Sequence, residues 1–184
     1  MKEKGFIDYI KSDLSRLCKP TFSGFVKQYF VPRGGVFPYI FWLRVVHFSR
    51  KHKLTKYTIA IPAYFIMRHF EFKYGIHANP NIQIGKGLHI VHGGAVYLNC
   101  KSIGENFTVY QSVTLGSKNS AIPTILDDVT VYTGAVVSGN VILNNGCVVG
   151  ANSYVDKSVD AYSVVAGLPA KEIKKLNQHC SSKE

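Results

Sequence analysis

The chain is poor in several things, and each absence narrows what it can be. It has only four cysteines, Cys18, Cys100, Cys147 and Cys180. Their spacing contains no C-x-x-C pair for zinc or redox work and no dense disulfide framework, so a reducing, cytoplasmic compartment is expected. The opening residues, MKEKGFIDYIKSDLSR, lack the uninterrupted apolar core of a secretory signal. The longest charge-free apolar run, Tyr57–Met67, is too short for a membrane-spanning helix of about 20 residues. Acidic residues are scarce at one end only. Residues 1–73 hold 14 Lys and Arg against 4 acids, whereas residues 74–184 hold 8 against 7. The basic character therefore belongs to the N-terminal segment. It suits an anionic membrane surface, met from the cytoplasmic side, better than nucleic acid, because no nucleic-acid recognition motif accompanies it.

What the sequence does have is a repeat. From Ile125 the hexads ILDDVT, VYTGAV, VSGNVI, LNNGCV, VGANSY, VDKSVD and AYSVVA run in one register. Their first positions are Ile125, Val131, Val137, Leu143, Val149, Val155 and Ala161; their fifth are Val129, Ala135, Val141, Cys147, Ser153, Val159 and Val165. Upstream, hexads begin at Ile84, Ile90 and Val96, then Ser102 reads as one extra residue before the pattern resumes at Ile103. An aliphatic residue every six positions fits neither a helix nor a two-faced strand. It fits short strands joined by tight corners, with one residue per strand pointing into a narrow core. Gly and Asn collect between the aliphatic positions, where corners need positive φ. Three hexads make one coil of a triangular prism. Cys147 falls at an inward position and reads as a small buried hydrophobe.

Around the repeat, three zones are expected: a basic, aromatic-rich helical segment over 1–73, the β-helix over 74–167, and a short basic helix with a polar tail over 168–184. The helical patterning of the first zone is broken at Pro20, at 31–35 and at Pro38. Its stretches VFPYIFWLRVVHFSRKHKL and YTIAIPAYFIMRHF mix aromatics with Arg44, Arg50, Lys51, Lys53 and Lys56. Such helices suit a membrane interface, or packing on the end of the solenoid and on one another.

The segments IGKGLHIVHGG, SIGENFTVYQSVTLGS and VVAGLPAKEI resemble the left-handed β-helix acyltransferases with hexapeptide repeats. The nearest branches are the serine acetyltransferases and the O-acetyltransferases of polysaccharide clusters. The resemblance covers residues 75–173. It implies left-handed coils, a homotrimer with sites between subunits, acetyl-coenzyme A as co-substrate, and no metal. It also implies that His92 takes the proton from an acceptor hydroxyl, a task suited to imidazole. Gly93 and Gly94 would leave room beside it. His77 stands where serine acetyltransferases carry the acid that orients the histidine. Either another carboxylate serves, or His77 orients more weakly, or the match slips locally. Ser117, Thr133 and Ala151 match positions along the pantetheine arm, and Lys171 a basic position near the nucleotide. Thr133 and Ala151 are one coil apart. The loop 117–124, SKNSAIPT, is shorter than in serine acetyltransferases, and Ile122 replaces their second histidine.

The leading expectation is transfer of acetyl to a sugar hydroxyl of a surface polysaccharide or its lipid-linked precursor. The alternatives are a serine O-acetyltransferase of cysteine biosynthesis and an inactive trimeric scaffold. The zinc carbonic anhydrases share this solenoid, and His77, His89 and His92 raise that possibility. However, His89 and His92 occupy different hexad positions and should point apart.

Overall fold

The computed structural model describes residues 5–31, 36–50, 53–79 and 81–177. Residues 32–35 of the expected helix break at 31–35, Lys51, Cys180 and the tail 178–184 lie outside them, as do the side chains of Lys53 and Lys56. Up to its last strand, the solenoid is built from strands two or three residues long, because one inward residue per strand is all the narrow core admits. The first face holds β1 (Ile76–Ala78), β4 (Val96–Leu98), β7 (Thr114–Gly116), β10 (Val136–Ser138) and β13 (Tyr154–Val155). The second holds β2 (Gln83–Ile84), β5 (Ser102–Ile103), β8 (Thr124–Ile125) and β11 (Ile142–Leu143). The third holds β3 (His89–Ile90), β6 (Thr108–Val109), β9 (Thr130–Val131), β12 (Val148–Val149) and β14 (Ser163–Gly167). All neighbours within these sets pair in parallel.

Three columns of buried aliphatics fill the prism. They are Ala78, Leu98, Leu115, Val137 and Val155; then Ile84, Ile103, Ile125 and Leu143; then Ile90, Val109, Val131, Val149 and Val165. Each large member contributes roughly 1.5–3 kcal/mol by leaving water. Cys147 is fully buried among them, and burial pushes its thiol up to about 12, as expected of a small hydrophobe. One corner shows why glycine is needed. Gly134 has φ 72°, and a Cβ there would meet Asn152 Oδ1 on the next rung at 2.2 Å.

The register departs from the repeat at two places. Ser102 is no insertion: it lies in β5, paired with Gln83. The stacked inward residues are Ile90 and then Leu98, because Leu98 pairs with Leu115. Two extra residues therefore sit in the corner 92–95, and one is missing between Leu98 and Ile103. Near the other end, Leu143 bridges to Val159 and Val149 pairs with Val165. This last coil is two residues short, so Ala161 is exposed instead of inward.

The expected C-terminal helix is a strand, β15 (Ala170–Lys175), antiparallel to β14. The alternating Lys and Glu suit a helix face, but the third face presents an open edge with unpaired backbone groups. Gly167, at φ 104°, turns the chain back onto that edge. Ser163 Oγ donates to Glu172 at 2.6 Å, and Leu176 N donates to Tyr162 O at 2.6 Å.

Five helices precede the solenoid: α1 (Phe6–Ser15), α2 (Phe22–Phe30), α3 (Phe37–Ser49), α4 (Lys53–Thr58) and α5 (Ala60–Tyr74). Pro38 starts α3 instead of breaking it, since its missing N–H costs nothing in a first turn. Val36, Tyr39, Ile40, Leu43, Val46, Ala63 and Met67 share one core with the first coils. The helices thus cap the prism end. Arg44, expected on a basic membrane-facing surface, is buried. Its Nε and Nη2 donate to Asp13 at 2.8 and 3.1 Å, and Nη1 and Nη2 donate to Ile84 O and Gly85 O at 2.7 and 2.6 Å. Leu88 N donates to Asp13 Oδ1 at 2.8 Å. Among the described residues, no helix is long and apolar enough to cross a membrane.

Arg44→Met leaves Asp13 buried without its counter-charge and is expected to lower unfolding free energy by about 3–5 kcal/mol. Joint replacement with Asp13→Leu should recover most of that loss. Denaturant titration followed by the single tryptophan, Trp42 in α3, reads both.

Candidate active site

The prism edge between the third and first faces carries most of the expected site residues. At its foot is the enlarged corner 92–95, whose side chain at His92 is exposed. The corner rests on the end of α5: Gly94 N donates to Tyr74 O at 2.7 Å and Val96 N to Gly75 O at 3.0 Å. A Cβ on Gly93 would lie 2.6 Å from Tyr74 O. The room left by this glycine is thus filled by the helix end. Above His92, Gln111 Oε1 is buried without a hydrogen-bond partner among the described residues. Thr133 and Ala151 follow on successive rungs. Asn152 N donates to Thr133 O at 2.8 Å, and Gly134 N to Gln111 O at 3.2 Å. Lys171 tops the edge, exposed on β15 opposite Ala166. From β3 to β15 there are five strand steps of about 4.8 Å each, a long polar rail with an imidazole at one end and an ammonium at the other.

Two expected residues lie off this edge. Ser117 is exposed beyond β7, at the far side of the first face, where the loop 117–124 begins. Lys118 and Ala121 close that loop with paired backbone bonds of 2.9 and 3.1 Å across Asn119 and Ser120, both at positive φ. Lys118 Nζ lies 3.2 Å from Tyr154 OH, which lies 3.2 Å from Ser138 Oγ. The hydrogen bonds to Ser138 and Lys118 pull the Tyr154 phenol down, and the bond to Tyr154 pushes Lys118 up. His77 lies on β1, on the adjacent first face. Its Nδ1 is 2.5 Å from Glu71 Oε1, and its ring stacks on Tyr97 at 4.8 Å. The other Glu71 oxygen takes Arg68 Nη1 at 2.9 Å.

Sequence reasoning missed Glu71, Arg68, Tyr97 and the Lys118–Tyr154–Ser138 cluster. A signal for Glu71 existed: it is the one acid in Phe70-Glu71-Phe72, three residues after Arg68. The three histidines do not converge. His77 is held by Glu71, while His89 neighbours Arg16 and His92, and no group of three or more His, Cys, Asp or Glu among the described residues is placed to hold a metal ion. Arg16 Nη2 donates to Thr108 Oγ1 at 2.8 Å, on the strand beside His89. Burial, then Arg16 and His92, push His89 down to about 4.

The coils and their corners define a parallel β-solenoid of the hexapeptide-repeat class. Within it, the chain is similar to serine acetyltransferases. It is 40% identical over 128 residues to the serine acetyltransferase of Staphylococcus aureus strain Mu50, covering 67% of this chain and 60% of that protein. Against the Staphylococcus xylosus enzyme it is 40% identical over 129 residues, covering 67% and 59%. The match thus spans about 60% of the length of these curated relatives. The Brucella melitensis serine O-acetyltransferase structure is similar with a TM-score of 0.73 at 25% identity, covering 92% of this chain and 69% of that one. A serine acetyltransferase solved with coenzyme A shares the fold at TM-score 0.73 and 21% identity, covering 91% and 69%. No protein-family profile matches the chain.

His89 gives a pH test. Its folded value lies below the ordinary 6.5, so the unfolded chain takes up a proton that the folded chain refuses. Stability is therefore expected to fall as pH drops from about 6.5 toward about 4. His89→Gln should flatten this part of the melting-temperature profile.

Proposed function

We propose that the chain is an acetyl-coenzyme A-dependent O-acetyltransferase whose site lies along the edge from His92 to Lys171. The observation that carries this reading is the alignment of His92, Thr133, Ala151 and Lys171 on one edge, where the strands before each corner pair in order. Corner backbone groups offer hydrogen bonds to an extended pantetheine arm, with Ser117 a further contact from the next subunit's groove. Lys171 meets the phosphates at the far end. The chemistry needs one proton acceptor. His92 removes the hydroxyl proton as the oxygen attacks the thioester carbonyl. The C–O bond forms, the C–S bond breaks, and the proton passes to the departing sulfur.

The 40% identity to serine acetyltransferases supports serine as the acceptor. A sugar hydroxyl is the second reading, favoured by the short closed loop at 117–124 and by the helical surface. That surface exposes Phe22, Phe30, Phe65 and Phe72 within a strongly basic segment, as peripheral contact with an anionic membrane and a lipid-linked glycan would require. A homotrimer supplies the groove wall in either case.

Thiol release from acetyl-coenzyme A, measured with serine and with a panel of sugars, separates the two acceptors. Serine as the better acceptor supports the first; acetylation of a sugar alone supports the second. His92→Ala is expected to lower kcat/KM by about 10²- to 10⁴-fold. Full activity in that variant would sink the assigned base, and failure to bind coenzyme A in calorimetry would favour a scaffold that has lost the chemistry.

A further inference from the structure

Helix α5 brings a carboxylate to β1, the strand paired with the one that leaves the His92 corner. Ala60, Ala63, Met67 and Glu71 are the buried residues of α5. Their spacing puts them on one helical face, so Glu71 ends an apolar stripe. Its side chain is 4% exposed, and a buried carboxylate must be paired. One oxygen takes Arg68 and the other His77 Nδ1. An ionised carboxylate only accepts, so the His77 ring carries its proton on Nδ1, and in its neutral form Nε2 presents a lone pair. Stacking on Tyr97 at 17° blocks rotation of the ring. The His77 side chain remains 50% exposed, so its ring is open to other groups. The fixed ring also stands beside the His92 corner. Tyr74 and Gly75, which carry that corner by hydrogen bonds, lead directly into β1, and Ile76 pairs with Val96 just beyond it.

We propose that Glu71 is a positioning residue for the acetyl-transfer site, acting through His77 on His92. The proposal rests on the acetyltransferase reading above. His77, its proton held on Nδ1 by Glu71, presents Nε2 on β1, whose partner strand β4 leaves the His92 corner, and the carboxylate behind the ring favours the positive charge that His92 acquires. The proton moves from the acceptor hydroxyl to His92 and then to the coenzyme sulfur. Glu71 and His77 end each turnover with the protons they began with.

The test compares wild type, Glu71→Gln and Glu71→Gln/His77→Asp, whose new carboxylate stands where His77 was. In Glu71→Gln, kcat is expected to fall about 10- to 100-fold with KM for acetyl-coenzyme A unchanged. The double variant should regain most of the loss. Nitrogen-15 NMR should show the Nδ1–H tautomer of His77 in wild type and its loss in Glu71→Gln. Should Glu71→Gln fail to fold, His77→Gln leaves Glu71 on Arg68 and carries the same expected fall in kcat. Full kcat in the single variants overturns the proposal, as does a fall that the second carboxylate does not relieve. An inactive wild type overturns the acetyltransferase reading itself; an active wild type with an equally active Glu71→Gln overturns only the role of Glu71.

Discussion

Asp13 and Arg44 hold the two halves of the chain together. The guanidinium donates to both oxygens of the carboxylate and to the backbone of Ile84 and Gly85, and Leu88 N donates back to Asp13. One ion pair thereby fixes α1, α3 and the first coil at a single point. A pair this buried adds little net stability over a well-packed apolar one, because removing two charges from water costs nearly what their attraction returns. What it adds is register. An apolar contact between helix and coil would tolerate sliding, whereas this guanidinium is satisfied in one arrangement only. The position of α5 follows, since α3 and α5 share the core that closes on Ile76 and Ala78. Tyr74 then lies under Gly93, and Glu71 beside His77.

The prism was legible from residue spacing because its physics is local. Each inward position must be aliphatic and each corner must turn, so every hexad states its own fold. Departures were harder to read. A repeat counted along the chain assigns an extra residue to the first place where the pattern fails, which put it at Ser102. The strand pairs put two extra residues at 92–95 and a deletion after Leu98. The sequence sum is the same, and only pairing between coils separates the two solutions. Ala161 failed for a similar reason: the last coil is shortened where it no longer has a full neighbour. The C-terminal strand was illegible because its cause is the open edge of β14, which no residue within 170–175 encodes.

The site was legible in part, and the division has a cause. Thr133 and Ala151 lie on one edge because coil periodicity carries them there, and Lys171 joins them only through the turn from β14 back along β15. Arg44 and Glu71 escaped because long-range burial defines them. In sequence, Arg44 sits among aromatics and other cations and reads as a surface charge. Glu71 reads as an ordinary helix acid. Both are buried by elements far away in the chain, and each becomes a partnered charge only when those elements meet.

The six-residue repeat makes a stiff rod with nearly interchangeable rungs, and interchangeability is a poor basis for chemistry. Distinct positions arise where the repeat is interrupted or where something from outside touches it. The corner 92–95 combines the two. It is the widest corner of the early coils, and it is the one seated on α5. A wider corner lifts His92 out of the wall, but extra backbone would also loosen it. The bonds from Gly94 and Val96 to Tyr74 and Gly75 remove that freedom, and the missing Cβ of Gly93 lets the helix end approach closely enough to make them. The helices therefore do more than cap an apolar end. They convert an irregular corner of a regular rod into a fixed place, and they set the buried Glu71 carboxylate on His77 of the neighbouring strand.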